Sequence, residues 1–410
     1  MAGVIGTSMV FTHLLTYALA VTAIFWALRW IGSGSPSIRT PIDWPVIILV
    51  LMTAISFWAT ALPETTYPQV YRLLLGIGFF YAIINWTNTK TKLQILILAL
   101  SLIGLSLAMV GLFSVQWTTT KVPFMPDWIY DFIPTLVSDI IHRNVMAGTL
   151  VVIIPIIIAI PLFDWQDLRG FEKFILIASS SVMIGVVILT QSRAGWMALA
   201  LSMGVLVLLA GKWTKYLFVF AATLGIVIMI YVGITPFLNA LIESNTIGGF
   251  EGRLETWSRA IYMIRDYPFT GVGMGSFMMV ADTLYPFTRL GYGTVHHAHN
   301  MFMQVAVDLG IPGFISWFAI LIIVCALAWQ LYRKGRISQN RILSGFGAGF
   351  FCSQIAFFAH GILDSVTWGM VRPAPIIWGI WGLSMGGSLL YLIDYQNIRN
   401  KNSLEEAYGR

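Results

Sequence analysis

Charge is scarce in this chain: 10% of its 410 residues are Asp, Glu, Lys or Arg, against 58% hydrophobic. An ordinary soluble domain carries roughly a quarter charged residues, so a soluble fold is excluded. Cysteine is nearly absent, and Cys325 and Cys352 both fall inside apolar runs, where they read as small core residues and not as a disulfide or metal pair. The start lacks a basic segment and a small-residue cleavage site, so the first apolar run is expected to be a span and not a signal peptide. No Asp-x-Asp motif, Walker glycine loop with lysine or Gly-x-Ser-x-Gly turn occurs, which disfavours metal-dependent nucleotide-sugar chemistry. The apolar runs carry no ionisable residues at their middles, which disfavours ion-coupled transport.

What is present is a series of apolar segments near twenty residues, each long enough to cross about 30 Å of hydrocarbon as a helix. They are continuously apolar and lack the in-out alternation of membrane strands. The reading is an all-α integral membrane protein with 11–12 spans. Eleven are placed at about 9–30, 44–62, 71–86, 93–113, 145–163, 174–190, 196–211, 216–233, 312–332, 343–363 and 375–393. The expected organisation is one membrane domain over 1–393, with a large outer loop at 234–311 and a polar, fraying tail at 394–410. Fifteen of the 24 Lys and Arg fall in connections of one parity, including Lys90, Lys92, Arg169, Lys173, Arg336 and Arg341. That parity marks the cytoplasmic side. The net charge of +6 is then mostly membrane anchoring and indicates no nucleic-acid partner.

Two outer connections exceed simple turns. The segment 114–144 spaces Trp128, Phe132, Leu136 and Ile140 four residues apart and reads as interfacial helix broken at Pro134. The loop 234–311 collects Arg253, Arg259, Arg265, Arg289, His296, His297 and His299. A helix is expected from Phe250 to Tyr267, closing at Pro268. On it Arg253 and Trp257 share a face, while Glu255 and Arg259 form an i,i+4 ion pair. Pro268 to Gly275 departs from the dinucleotide-binding spacing and reads as a tight glycine turn, with anion binding by its amides as the lesser reading.

Gln191-Ser192-Arg193-Ala194-Gly195 sits between two spans. Ser192 can cap the next helix, whose free N–H groups then lie beside Arg193. A phosphate site and a snorkelling arginine fit this spacing equally. His142-Arg143-Asn144 likewise opens a span. Arg143, Arg193, Arg253 and Arg372 gathered together would suit a diphosphate, because guanidinium forks match its oxygens. His296-His297-Ala298-His299-Asn300 is the densest titratable cluster. It offers a general base near neutral pH, a zinc site short of a nearby carboxylate or cysteine, or polar histidines at a wet interface.

Taken in order, His142-Arg143-Asn144, Gln191 to Gly195, Arg253-x-x-x-Trp257 running into Pro268-x-x-Gly271-x-Gly273-x-Gly275-x-Phe277, and His297-x-His299-Asn300 with Gln304 and Gly310 resemble the O-antigen ligase and polymerase superfamily. The resemblance covers roughly residues 139–313. It implies a bacterial inner-membrane glycosyltransferase, metal-independent and inverting, without a cofactor, working on the periplasmic face. Its donor would be a glycan on undecaprenyl diphosphate and its acceptor lipid A-core or another glycan. The resemblance implies diphosphate binding by Arg193 and Arg253, supported by Arg143 and less directly Arg265, and His299 as base with His297 second. An acceptor of lipid A-core defines a ligase, a second lipid-linked repeat a polymerase. The alternative of another class is a small-anion carrier of the bicarbonate kind.

Overall fold

The computed structural model describes residues 12–115, 141–211, 250–288, 290–291, 293–369 and 374–408, with isolated positions between 117 and 136 and between 215 and 230. Among the described residues there are twelve α-helices and no strand. They are α1 (Leu15–Ser33), α2 (Asp43–Ala59), α3 (Pro63–Trp86), α4 (Lys90–Ser114), α5 (Arg143–Phe163), α6 (Gly170–Leu189), α7 (Arg193–Ala210), α8 (Phe250–Asp266), α9 (Phe277–Leu284), α10 (Met301–Ile337), α11 (Arg341–Leu363) and α12 (Ala374–Tyr408). Eight are long and apolar enough to cross a membrane, and α2, with 17 residues, is a shorter apolar helix. An all-α integral membrane protein is the result. Most of the span expected at 216–233 and most of the interfacial segment 114–144 lie outside the described residues, as do Arg289 and Arg372.

Helix ends follow local chemistry. Ser192 caps α7 by accepting from the Gly195 amide at 3.3 Å, as the sequence predicts. His142 caps α5, its Nδ1 accepting from the Asn144 amide at 3.3 Å, and Asn300 caps α10 through Phe302 and Met303. Pro63 stands in the first turn of α3, where its missing N–H costs nothing, so that helix begins eight residues before the apolar run does. In α10 the chain breaks helical geometry at Gly310 (φ 70°), two residues before Pro312, where the span was expected to start. The residues 301–309 above the break are helical too. Beyond Asp394 the polar tail continues as helix to Tyr408 instead of fraying.

The core gathers the inward faces of α3, α5, α10, α11 and α12. The most buried spans are α5 and α11, which pack on each other and on α7. Small residues set that closeness. A Cβ on Gly148 would lie 2.6 Å from His360 Cε1, and one on Gly195 would lie 2.8 Å from Ala147 Cβ. The N-termini of α5 and α7 and the C-terminus of α11 thereby meet at one end of the bundle. Over that end lies a small separate core of Ala260, Met263, Val272, Phe277, Ala281, Val295, Ala298 and Val307, which fixes α8, α9 and the histidine segment onto the upper part of α10.

Candidate active site

Asp364 is the centre of the site. It ends α11, is 1% exposed, and lies far from the motifs in sequence. Its Oδ2 accepts from Asn144 Nδ2 at 2.9 Å and its Oδ1 from the Ser365 amide at 2.8 Å. His297 Nε2 and His299 Nδ1 each stand 3.8 Å from Oδ1, an electrostatic contact longer than a hydrogen bond. Burial alone would raise this carboxyl's pKa; its interactions with His299, His297 and His360 outweigh burial and hold Asp364 well below the usual carboxylate range.

The two histidines differ in what their nitrogens do. His297 Nδ1 receives the His299 amide at 3.2 Å and lies 2.8 Å from Ser365 Oγ. An amide donor requires an unprotonated Nδ1, so the ring proton sits on Nε2, facing Asp364. Burial, then the neighbouring His299, push the His297 pKa down to about 3, and the ring is neutral. His299 Nδ1 is buried with no hydrogen-bond partner among the described residues and faces Asp364. A proton on that nitrogen leaves Nε2 as the free basic position. The backbone of His299 is left-handed (φ 48°), as is that of Gln191 (φ 49°), so two of the three such non-glycine residues among the described residues lie in the two motifs. Strain of this kind persists where the surroundings over-determine it and clusters at working sites.

Arginine reaches the site from two directions. Arg253 on α8 feels the charges of both Asp364 and Arg193; burial is the largest influence on it and, with Arg193, pulls its pKa below the usual value, while Asp364 opposes this. Its Nε and the Trp257 Nε1 one turn later are buried donors without a hydrogen-bond partner among the described residues. Arg193 occupies the first turn of α7, on the N-terminal side that favours an anion. Arg143 occupies the same position on α5, next to Asn144, and interacts with Tyr130, whose Oη accepts from Gln191 Nε2 at 2.6 Å.

His297 and His299 therefore stand at one carboxylate, Arg253 lies within its electrostatic reach and within that of Arg193, and Arg143 stands at the same end of the bundle. Arg265 does not join them. It is exposed in the last turn of α8, twelve residues and about 18 Å along the axis from Arg253. Arg259 makes the ion pair expected with Glu255 (3.4 Å), which is also fixed by Thr288. The glycine turn is a turn: the Gly271 amide goes to Tyr267 O, that of Val272 to Val307 O at 2.8 Å, and that of Met274 to Ser56 Oγ. These amides are spent within the protein.

Sequence reasoning missed Asp364 and the network behind the histidines. The Ala298 amide donates to Gln304 Oε1 (2.8 Å), Gln304 Nε2 to Asp308 Oδ1 (2.9 Å) and Trp368 Nε1 to Asp308 Oδ2 (2.7 Å). An acidic residue closing an apolar span beside a histidine was the available signal. His297, His299 and Asp364 also bring one ligand atom each within 4.8 Å of one another, a two-histidine, one-carboxylate set that could close on a divalent ion. The carboxylate that the zinc reading lacked near the histidines in sequence is thus supplied by α11.

Fold and site together define a multi-pass α-helical membrane protein with a polar centre built from span ends and a folded loop. Residues 178–318 match the O-antigen ligase family, so the resemblance read from the motifs is borne out over that stretch. It takes in Arg193, Arg253, His297 and His299 and excludes Arg143 and Asp364. The chain is also 28% identical over 171 residues to the exopolysaccharide production protein ExoQ of Rhizobium meliloti (strain 1021). That similarity covers 39% of this chain and 38% of the relative.

Proposed function

We propose that the protein is a membrane glycosyltransferase that moves a glycan from undecaprenyl diphosphate to a hydroxyl acceptor at the outer, periplasmic face of a bacterial inner membrane. The observation that carries this reading is that three separate stretches of chain meet, His299 at 3.8 Å from Asp364 and Arg253 within the electrostatic reach of both Asp364 and Arg193. The family match and the exopolysaccharide relative support polysaccharide assembly as the setting.

The chemistry follows from the groups. The acceptor oxygen attacks the anomeric carbon while the bond from that carbon to the diphosphate oxygen breaks on the opposite face, inverting the centre. His299 Nε2 takes the acceptor proton, and the imidazolium that forms is stabilised by the Asp364 carboxylate. The leaving diphosphate gains negative charge, which the Arg193 and Arg253 guanidiniums and the α7 N-terminus favour. Arg143 adds positive charge at the neighbouring helix start. His297, neutral and bonded to Ser365, holds the loop and is the second candidate for base.

Lipid A-core is the acceptor in the ligase reading. The exopolysaccharide relative favours a second reading, in which another lipid-linked glycan is the acceptor and the enzyme is a polymerase. Purified protein incubated with undecaprenyl-diphosphate glycan and each acceptor in turn separates them, with product detected by mass shift. Transfer is expected in the presence of EDTA and lost in Arg193→Ala, Arg253→Ala and His299→Ala variants that remain folded. Activity abolished by EDTA and restored by zinc would replace this mechanism with a metal held by His297, His299 and Asp364.

A further inference from the structure

At the far end of the same helices, where α5 finishes and α11 starts, lies a second polar site. A 21-residue helix separates it from the histidine centre by about 30 Å. The cavity measures about 410 Å³ and is walled by the apolar Ile95, Leu98, Ile160, Leu176 and Phe346 of α4, α5, α6 and α11. Its polar edge carries Asp164, Asp167, Glu172, Arg169 and Arg341.

Asp164 interacts with Asp167 but leaves one carboxyl oxygen without an internal partner among the described residues. It is 4% exposed, lines the cavity, and its Oδ1 is buried with no hydrogen-bond partner among the described residues. Burial, then the charge of Asp167, raise its pKa above the ordinary carboxylate value against the pull of Arg341. Leaving a buried acceptor unpaired costs roughly 1–3 kcal/mol. A cation donating N–H bonds would remove that cost. Arg341 spends one nitrogen on Gln166 Oε1 at 3.1 Å, and Glu172 accepts from the Arg169 amide, so two guanidiniums stand beside the acidic pair without neutralising its buried oxygen.

We propose that this cavity binds the headgroup of an amine-bearing phospholipid of the phosphoethanolamine class, ammonium toward Asp164 and Asp167, phosphate toward Arg169 and Arg341. The zwitterion carries both signs of charge, as the edge does, and the apolar walls match the first methylenes of its chains. Ile95 is 51% exposed on the outside of the bundle, so the apolar side of the cavity opens toward lipid. Trp165, half exposed with Lys173 Nζ 4.9 Å above its ring, marks the level of the headgroups, where tryptophan gathers. The site is independent of the transfer reaction.

Full-length protein purified in detergent and examined by native mass spectrometry and thermal melting tests the assignment. Phosphatidylethanolamine is expected to stay bound and raise the melting temperature, whereas phosphatidylglycerol and phosphatidylcholine do neither. Asp164→Asn is expected to weaken phosphatidylethanolamine binding by about tenfold, the weight of one charge-assisted hydrogen bond. If that variant does not fold, Asp167→Asn and Arg341→Gln carry the same expectation. Equal retention of all three lipids, unchanged binding in the folded variants, or a stabilisation reproduced by soluble phosphoethanolamine or by magnesium without lipid would each overturn it.

Discussion

His299 Nδ1 lies 3.8 Å from Asp364 Oδ1, although 65 positions separate the two residues in the chain. The carboxylate is buried and tied down by Asn144 and Ser365, so it cannot turn away to water. A base backed in this way gains strength in the state where it carries the proton. Asp364→Asn removes the charge and keeps the shape. Turnover is expected to fall by 100-fold or more, on the order of a lost general base, with the donor KM little changed. Steady-state kinetics in membranes or micelles measure it, and an unchanged turnover would remove Asp364 from the mechanism.

Arg253 and Arg265 share helix α8 and make an internal control. Arg253 is within the field of Asp364 and Arg193, and Arg265 is exposed near the helix end. Arg253→Lys keeps the charge but loses the forked donor, so donor turnover should fall at least tenfold. Arg265→Ala should stay within about twofold of the parent, as exposed substitutions away from such features usually do. The reverse ranking, from the same transfer assay, would move the diphosphate to the outer end of α8.

Acid should loosen the histidine centre. His297 is held at a pKa of about 3 when folded and returns to about 6.5 when unfolded, so between these values the unfolded chain binds the extra proton. Stability is therefore fully present above about pH 6.5 and is lost as pH falls toward 3. Asp364, depressed in the fold, adds loss in the same direction below about pH 4. Melting temperatures of the detergent-solubilised protein across pH 5–7 should show this slope, and His297→Gln should flatten it. An equal slope in the variant would assign the acid sensitivity elsewhere.

Gly271 has φ 68°, and a Cβ there would come within 2.5 Å of the Asp308 carbonyl oxygen. Gly271→Ala combines an unfavourable backbone with a collision against main chain that cannot swing aside. A loss of roughly 1–3 kcal/mol is expected, confined to the loop core and seen as faster proteolysis of residues 250–300. Wild-type protease resistance would show that the turn relaxes.

Several features could be read from residue order because they are local. Ser192 and its helix, the Glu255–Arg259 pair, the stop at Pro268 and the alternative of a plain glycine turn each depend on neighbours a few positions away. Asp364 could not be assigned in this way. Its meaning depends on Gly148 allowing α5 and α11 to touch and on the loop packed against α10 bringing the histidines to their end, and no spacing in the chain records those distances. Arg265 was carried by likeness to a motif and separated from Arg253 only by the length of a real helix. The helical continuation to Tyr408 follows good helix-forming residues such as Leu404, Glu405, Glu406 and Ala407, which polarity alone had obscured.

The break at Gly310 has one more implication. The Ile311 amide donates to the Pro268 carbonyl at 2.7 Å, and any Cβ on Gly310 would strike the backbone at Phe269. The folded loop is thus stitched to a membrane helix through main chain, which side-chain replacements away from Gly310 and Ile311 leave intact. The outer surface of the loop can therefore vary in sequence while the His299 imidazole keeps its place beside Asp364.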